Sequence, residues 1–334
     1  MTPKNILFLN GLPDNRQVEV NYIDKNNTMH YALRGSANIA QMMDKEQIIP
    51  SIVVFDTHLK QDMNAESNIH AIFNEISDAD THFITLAKAQ KLYNMFSDKM
   101  PFFNKPDNIM KTSRSRIYQL LHDIKGLHVP KTVQIQPKSA SDIYDAIEKE
   151  GFEFPVILRK AGEHNGIGTL LIKDGSEQFY AFALNGQNHY LTQFVEYADK
   201  DGIYAKYRLV VVDGEVFIRH IIFSDHWKVH QREFMEKNLE FQEKEIAIFQ
   251  HFDKEVKPKI QPIITEINQR LGLDYFGIDC TLDENFNITL FEANANMDIL
   301  THSNDKKNEL LITKIQHIKE AVSAMINNRL KNKS

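Results

Sequence analysis

The chain has 334 residues, 42% hydrophobic and 25% charged, a balance that fits two or three globular domains with a substantial core. A net charge of −6 with no long basic block excludes a general nucleic-acid binder, and no apolar segment reaches spanning length, so no membrane partner is expected. The single cysteine, Cys280, excludes an internal disulfide, and its place inside a predicted strand makes it a buried bystander. With a leading ILFL run too short for a signal sequence, the expected location is the cytoplasm.

In chain order, NILFLN (residues 5–10) reads as a buried strand followed by the turn residues GLPDN, and VEVNYI as a second, alternating strand. Residues 36–45 suit a helix, IIPSIVVFD a strand, ESNIHAIFNEI a helix and THFITL a short strand. Alternating strands and helices over roughly 100 residues predict an open α/β domain. The loop after the first strand lacks GxGxxG, so no dinucleotide site is read there.

Residues 101–132 (PFFNKPDNIMKTSRSRIYQLLHDIKGLHVPKT) predict a helix capped by Asp107 or Asn108, with Ile117, Leu120 and Leu121 on its apolar face. Lys111, Arg114 and Arg116 crowd its start, and Gly126 ends it. SASDIYDAIEKE predicts an amphipathic helix capped by Ser141 or Asp142. PVILR and TLLI are strands joined by a glycine loop in which Gly162, Gly166 and Gly168 allow backbone amides to approach an anion closely. Arg159 or Lys160 stands at its entrance, and His164 lies within it.

YLTQFV is a further strand, followed by the acids Glu196, Asp199 and Asp201. AKYRLVVVDGEVFIRHIIF predicts a hairpin turning at Asp213-Gly214, with Lys206 and Arg208 on one face and Arg219 returning beside them. Downstream, His220, Ser224, Trp227 and His230 form a polar-aromatic run suited to substrate recognition. Helices over 235–252 and 255–271 lead to LGLDYFGIDCTLDENFNITLFEANANMDIL, and a last amphipathic helix covers about 307–330. Folded as a hairpin, that stretch brings Asp279 nearly opposite Glu292, with Asn294 on the same face. Three converging oxygen donors of this kind suit Mg2+, which completes its shell with substrate phosphates.

The ordered set formed by the basic helix start, the glycine loop, the YLTQFV strand, the arginine strand and Asp…Glu-x-Asn resembles the ATP-grasp superfamily, similar to glutathione synthetase and D-alanine–D-alanine ligase. The likeness runs over roughly residues 105–330. It implies an α+β ATP-grasp fold, two subdomains clasping ATP behind an α/β domain, with boundaries at 1–108, 109–188 and 189–334. It further implies that Arg114, Arg159, Lys160, Gly166 and Gly168 contact nucleotide phosphates. Gln193, Phe194 and Val195 would form the adenine hinge, and Asp201, or Glu196 or Asp199, would bind ribose. Arg208 and Arg219 would stabilise transferred charge, Asp279, Glu292 and Asn294 would hold Mg2+, and His220, Ser224, Trp227 and His230 would meet substrate. Two arginines where the family commonly has lysine, and Lys160 where it often has proline, are departures from the pattern.

The implied reaction is ATP-dependent ligation of a small-molecule or peptide carboxylate to an amine, or to a thiol, through an acyl phosphate. A phosphotransferase acting on a hydroxyl, or a nucleotide-binding regulator without turnover, are the alternative readings.

Overall fold

A computed structural model describes residues 3–33, 35, 37, 39–44, 46–58, 68–163, 168–180, 182–229, 232–299 and 309–332. The N-terminal domain is built from β1 (Lys4–Gly11), the hairpin β2 (Glu19–Ile23) and β3 (Met29–Ala32), β4 (Ile48–Phe55), β5 (Ala71–Asn74), α1 (Phe83–Phe96) and β6 (Phe102–Phe103). Four of these strands form a parallel sheet in the order β4-β1-β5-β6.

Two expectations reverse here. Residues 71–74, expected in a helix, are the strand β5, and all four are buried between β1 and β6. A strand covered on both faces loses its period-two alternation, and its apolar spacing then passes for helical. THFITL, expected as a strand, instead opens α1. The helix is capped from a distance: the Asp14 carboxylate accepts from the amides of Phe83 and Ile84, both at 3.0 Å. The helix expected over 36–45 contracts to a 3-10 turn, Ile39–Met42.

The chain continues through α2 (Pro106–Ile109), α3 (Arg114–Leu121), β7 (Leu127–His128), β8 (Thr132–Ile135), α4 (Ala140–Lys149), β9 (Val156–Lys160), β10 (Thr169–Ile172) and β11 (His189–Gln193). Ser113 is the residue before α3, and Asp107 lies within α2 rather than at its cap. The cap of α4 is Ser139, whose hydroxyl accepts from the Asp142 amide while Asp142 accepts from the Ser139 amide. The central sheet is antiparallel, ordered β10-β9-β11-β8. β11, expected to open the C-terminal subdomain, pairs with β8 and β9, so the crossover falls after Gln193.

β12 (Tyr204–Val212) and β13 (Glu215–Ser224) form a hairpin whose turn residues Asp213 and Gly214 have φ of 49° and 87°, as a type I′ turn requires. α5 (Glu233–Glu236), α6 (Leu239–His251), α7 (Lys257–Leu271), β14 (Tyr275–Leu282), β15 (Ile288–Ala295) and α8 (Glu309–Asn332) complete the chain. The C-terminal sheet runs β13-β12-β14-β15-β7. No described helix is long and apolar enough to cross a membrane.

The cores are divided unevenly. One apolar cluster runs from Phe8 and Phe73 in the N-terminal sheet to Val210, Phe276 and Ile318 in the C-terminal body. The central subdomain has its own core of Ile143, Ile147, Val156, Leu158, Ile172 and Leu191. A polar seam also welds the first two bodies. The Asn104 side chain donates to the Asn296 side chain (2.5 Å) and the Tyr275 carbonyl (2.7 Å) and accepts from the amides of Asp274 and Tyr275. Asn296 in turn donates to the Ile76 carbonyl at 3.3 Å.

Beneath the N-terminal sheet, Glu75 is 1% exposed and accepts from Asn10 Nδ2 (2.7 Å) and the Ala40 amide (2.8 Å). Burial outweighs these bonds and pushes its carboxyl from 4.5 up to about 7. An acid whose pKa rises on folding binds its proton more tightly in the native state, so its contribution to stability falls as pH climbs between those two values. From pH 5 to pH 8 the wild type should therefore lose stability relative to Glu75→Gln, by on the order of 3 kcal/mol, in urea titrations. A constant difference between the two proteins across that range would contradict the buried ionisation.

Candidate active site

The site grows from one row of residues across the C-terminal sheet. Asp279 on β14 pairs with Arg208 on β12 and with Glu292 on β15, and Arg208 pairs outward with His220 on β13. Directly opposed residues share a face, so His220, Arg208, Asp279 and Glu292 point together across four strands. Two β-bulges create this alignment. The β12–β13 register shifts between Arg208 and Leu209, and the β14–β15 register shifts between Asp279 and Cys280. Regular pairing out from the turns would have set Arg208 opposite Arg219 and Asp279 opposite Phe291.

Asn294 stands two residues beyond Glu292, paired with Gly277. Gly277 is required there because a Cβ would lie 2.2 Å from the Met297 sulfur. The three oxygen-bearing side chains foreseen from sequence therefore line one cavity. Among the described residues no group of three His, Cys, Asp or Glu could hold a metal by itself. Two carboxylates and an amide fit a hard cation that draws the rest of its shell from phosphate oxygens.

Cations compensate both carboxylates. Arg208 clasps Asp279 with a forked pair of bonds at 2.8 and 2.9 Å, and Lys206 Nζ lies 3.4 Å from the same group. Burial opposes ionisation of Asp279, yet Arg208 and Lys206 prevail and hold its carboxyl below the usual carboxylate range. Arg114, at the start of α3, bonds the Glu292 carboxylate and donates to the Phe291 carbonyl at 3.1 Å. Arg159 Nη1 approaches Glu292 to 3.9 Å from the end of β9. Burial and the neighbouring Arg114 lower the Arg159 guanidinium to about 10, which leaves it charged at neutral pH. Four cations thus surround the two carboxylates of the row, with Asp80 further along the cavity wall, and this concentration of guanidinium and ammonium groups favours an anionic ligand at the row itself. Burial, reinforced by Arg208, Arg219 and Lys206, drives His220 well below its ordinary value and keeps the ring neutral.

Two cavities meet at these residues. The first, enclosing about 1120 Å³ with its open mouth, runs between the central and C-terminal sheets and is lined by Gln193, Phe194, Val195, Trp227 and Leu290. That space suits a nucleotide-sized ligand. The second, about 1680 Å³, opens toward the N-terminal domain, where Ser77, Asp78 and Asp80 form its wall. Arg114, Arg159, Tyr190, Lys206, Asp279 and Glu292 line both.

Several foreseen residues fall elsewhere. Trp227, expected at the substrate, stands across the first cavity with its ring edge-on to Phe194 at 5.7 Å, and its carbonyl accepts from Tyr197 Oη. Arg219 occupies the bulge of β13, is 4% exposed, and lies 3.5 Å from His220 Nδ1 rather than on a cavity wall. Ser224 is taken up by the His226 amide at the end of β13. Asp201 sits exposed in the turn organised by Asp199, away from the cavity linings. Gly168 opens β10 with φ of 59°, and Lys160 lines the second cavity beside Glu163. Gly166, His164 and His230 lie outside the described residues.

Within the hinge strand the amides of Gln193 and Phe194 are engaged by the carbonyls of Lys131 and Pro155, which leaves Val195 as the candidate hinge donor. Sequence reading missed Tyr190, taken as ordinary strand, and Asp80, whose SDAD turn carries no local sign that it faces a distant glycine loop.

Two α+β bodies closing over a basic, carboxylate-lined junction behind an α/β domain define an ATP-grasp protein. The sequence matches the model of the RimK-like ATP-grasp domain over residues 112–318, and the chain belongs to that family. Among solved structures it resembles D-alanyl-alanine synthetase A from Vibrio cholerae O1 biovar eltor, with 13% identity, a TM-score of 0.56, and coverage of 99% of this chain and 100% of that one. It also resembles the D-alanine–D-alanine ligase from Bacillus anthracis complexed with ATP, with 11% identity, a TM-score of 0.52, and coverage of 98% and 97%. A third likeness is to N5-carboxyaminoimidazole synthetase from Staphylococcus aureus complexed with ADP, with 14% identity, a TM-score of 0.51, and coverage of 95% and 77%. At these identities the likeness establishes the fold. No curated protein sequence matches the chain.

If Arg114 and Arg159 bind nucleotide phosphates, Arg→Met at either position should weaken MgATP binding about 10- to 100-fold, the worth of a charge-assisted bond. Arg→Lys should lose less, since charge is the shared requirement and the fork a refinement. Isothermal titration at fixed Mg2+ reads this, and unchanged dissociation constants in both Met variants would remove the phosphate assignment.

Proposed function

We propose that the protein is an ATP-dependent ligase that joins a carboxylate to an amine through an acyl phosphate, releasing ADP and phosphate. The observation that carries this reading is the meeting of a nucleotide-sized cavity and a second, substrate-sized cavity at one cluster of four cations and two carboxylates. A phosphoryl group held there would face both compartments. The lining of the first cavity by the hinge strand supports adenine binding against Val195, with Trp227 and Phe194 closing on it.

In the first step a carboxylate oxygen attacks the γ-phosphorus, the O–P bond forms, and the bridging P–O bond breaks to release ADP. Arg208, Lys206 and Arg159 surround the transferring oxygens and stabilise the charge that builds on them. In the second step an amine attacks the acyl carbon, the C–N bond forms, phosphate leaves with the former carboxylate oxygen, and the amine gives its proton to solvent. Asp279, Glu292 and Asn294 would hold Mg2+, which neutralises phosphate charge when bound. No nucleophilic side chain is required, so the chain contributes position and electrostatics.

Two measurements test this. With ATP, Mg2+, hydroxylamine and a panel of carboxylates, the wild type should release ADP and form acyl hydroxamate. A carboxylate labelled with 18O should pass one label into phosphate, and unlabelled phosphate beside a genuine joined product would rule out the acyl phosphate. Arg208→Met should lower kcat by about 10²–10³ with MgATP affinity nearly kept, as for loss of one preorganised donor to developing charge. A purely binding role for Arg208 would instead appear as a raised dissociation constant at unchanged kcat.

A further inference from the structure

The central subdomain carries Arg159 and the glycine loop, yet its apolar core includes no residue of the N-terminal domain. What ties it to that domain is a small polar contact. The turn after β5 is rigidly held: the Ser77 amide donates to the Gly35 carbonyl, the Asp80 amide to Asp78 Oδ1, and the Asp14 amide to the Thr81 carbonyl at 2.7 Å. From this turn the Asp80 carboxylate reaches across, accepting from Tyr190 Oη at 2.5 Å and from the Gly162 amide. Tyr190 is 1% exposed on β11, and its partner across the ladder is Arg159 on β9. Gly162 sits at the entrance to the glycine loop with φ of 75°, and a Cβ there would lie 2.6 Å from Thr81 Cγ2. Only glycine lets the loop approach the turn this closely.

We propose that Asp80 is a positioning residue: by holding Tyr190 and the Gly162 amide, it seats the central subdomain against the N-terminal domain and so sets Arg159 over the reacting phosphoryl group. Asp80 also lines the second cavity, on the wall that would face the acceptor substrate, and its charge attracts Arg114. One carboxylate thus joins the turn after β5 to two elements of the central subdomain, across the boundary between two bodies. Because the contact crosses the boundary between two cores, losing it leaves each core intact and loosens only their relation. A misplacement on the scale of 1 Å is enough to cost about 10²-fold in rate. The turnover arm of this inference rests on the ligase reading, and the structural arm does not.

The test compares wild type, Asp80→Ala, Asp80→Asn and the nearly isosteric Tyr190→Phe by hydrogen exchange of the full chain without nucleotide. Peptides spanning 156–163 and 189–193 should exchange at least about tenfold faster in Asp80→Ala and Tyr190→Phe, with β1 and β14 unchanged. Asp80→Asn, which keeps one acceptor oxygen, should fall between them and wild type. In turnover, Asp80→Ala should lower kcat about 100-fold and weaken MgATP binding by no more than Arg159→Met does, with partial rescue of both in Asp80→Asn. The double variant should be no worse than either single one, as members of one contact require. Unchanged exchange over 156–163 in both variants, faster exchange throughout the chain, or additive losses in the double variant would each overturn the proposal. A wild type that neither binds nor hydrolyses ATP would defeat the ligase reading, while the exchange result still decides whether the contact seats the subdomain.

Discussion

The site depends on two extra residues in two strands. Without the bulge in β13, Arg208 would face Arg219, and two guanidinium groups would meet across a partly buried ladder. Without the bulge in β15, Asp279 would face Phe291, and Glu292 would turn toward the other side of the sheet. With both bulges at the same level, a neutral imidazole, a guanidinium and two carboxylates fall into line. Bulges re-aim side chains at functional sites in just this way, at the cost of local ladder bonds. The buried apolar residues on either side, Ile278, Leu290 and Val210 among them, hold the shifted registers in place.

Charge compensation then shapes what the row can do. Asp279 is 6% exposed and its charge is offset by Arg208 and Lys206, so the carboxylates that would meet a cation come already paired with basic groups. A polyanion arriving with a cation exchanges these partners instead of adding new charge to a buried place. On the proposed reading the arginines would pass to phosphate oxygens as the carboxylates pass to the metal, and the net charge of the junction would change little. This explains why the basic residues and the acidic ones have to be read as one network rather than as a phosphate site and a metal site. It would also suit arginine at positions 114 and 159, because a fork beside Glu292 can keep one bond to a carboxylate while offering another to an incoming anion.

How much of this was legible from the sequence follows from range. The Asp279–Glu292 hairpin could be read because period-two alternation and a polar turn are local, and the same holds for the Asp213-Gly214 turn. The ATP-grasp assignment rested on motif order, and the family match supports it. The errors arose where a distant group decided. Residues 71–74 became a strand because β1 and β6 pair with both of its edges, and THFITL became a helix start because Asp14 caps it from 69 residues away. Arg219 was expected beside Arg208 because a bulge leaves no mark in composition. Trp227 was expected at the substrate because its polar neighbours suggested it, whereas its ring packs edge-on to Phe194 across the first cavity.

The unequal sharing of cores gives these placements a mechanical meaning. The N-terminal and C-terminal bodies share one apolar cluster and the Asn104 seam, so the wall that would meet substrate and the row that would meet phosphate are fixed relative to one another. Asn296 belongs to that seam and lies two residues beyond Asn294, which ties the oxygen donors to the same rigid frame. The central subdomain has its separate core and meets that frame through polar contacts such as Asp80–Tyr190, and it brings Arg159. A ligand that bridges the frame and the central subdomain is therefore held by groups from both, and its tight binding draws them together. On the proposed reading, chemistry that depends on Arg159 and Arg208 acting on the same oxygens would need both bodies engaged on one ligand, an arrangement that would also keep water from a reactive intermediate.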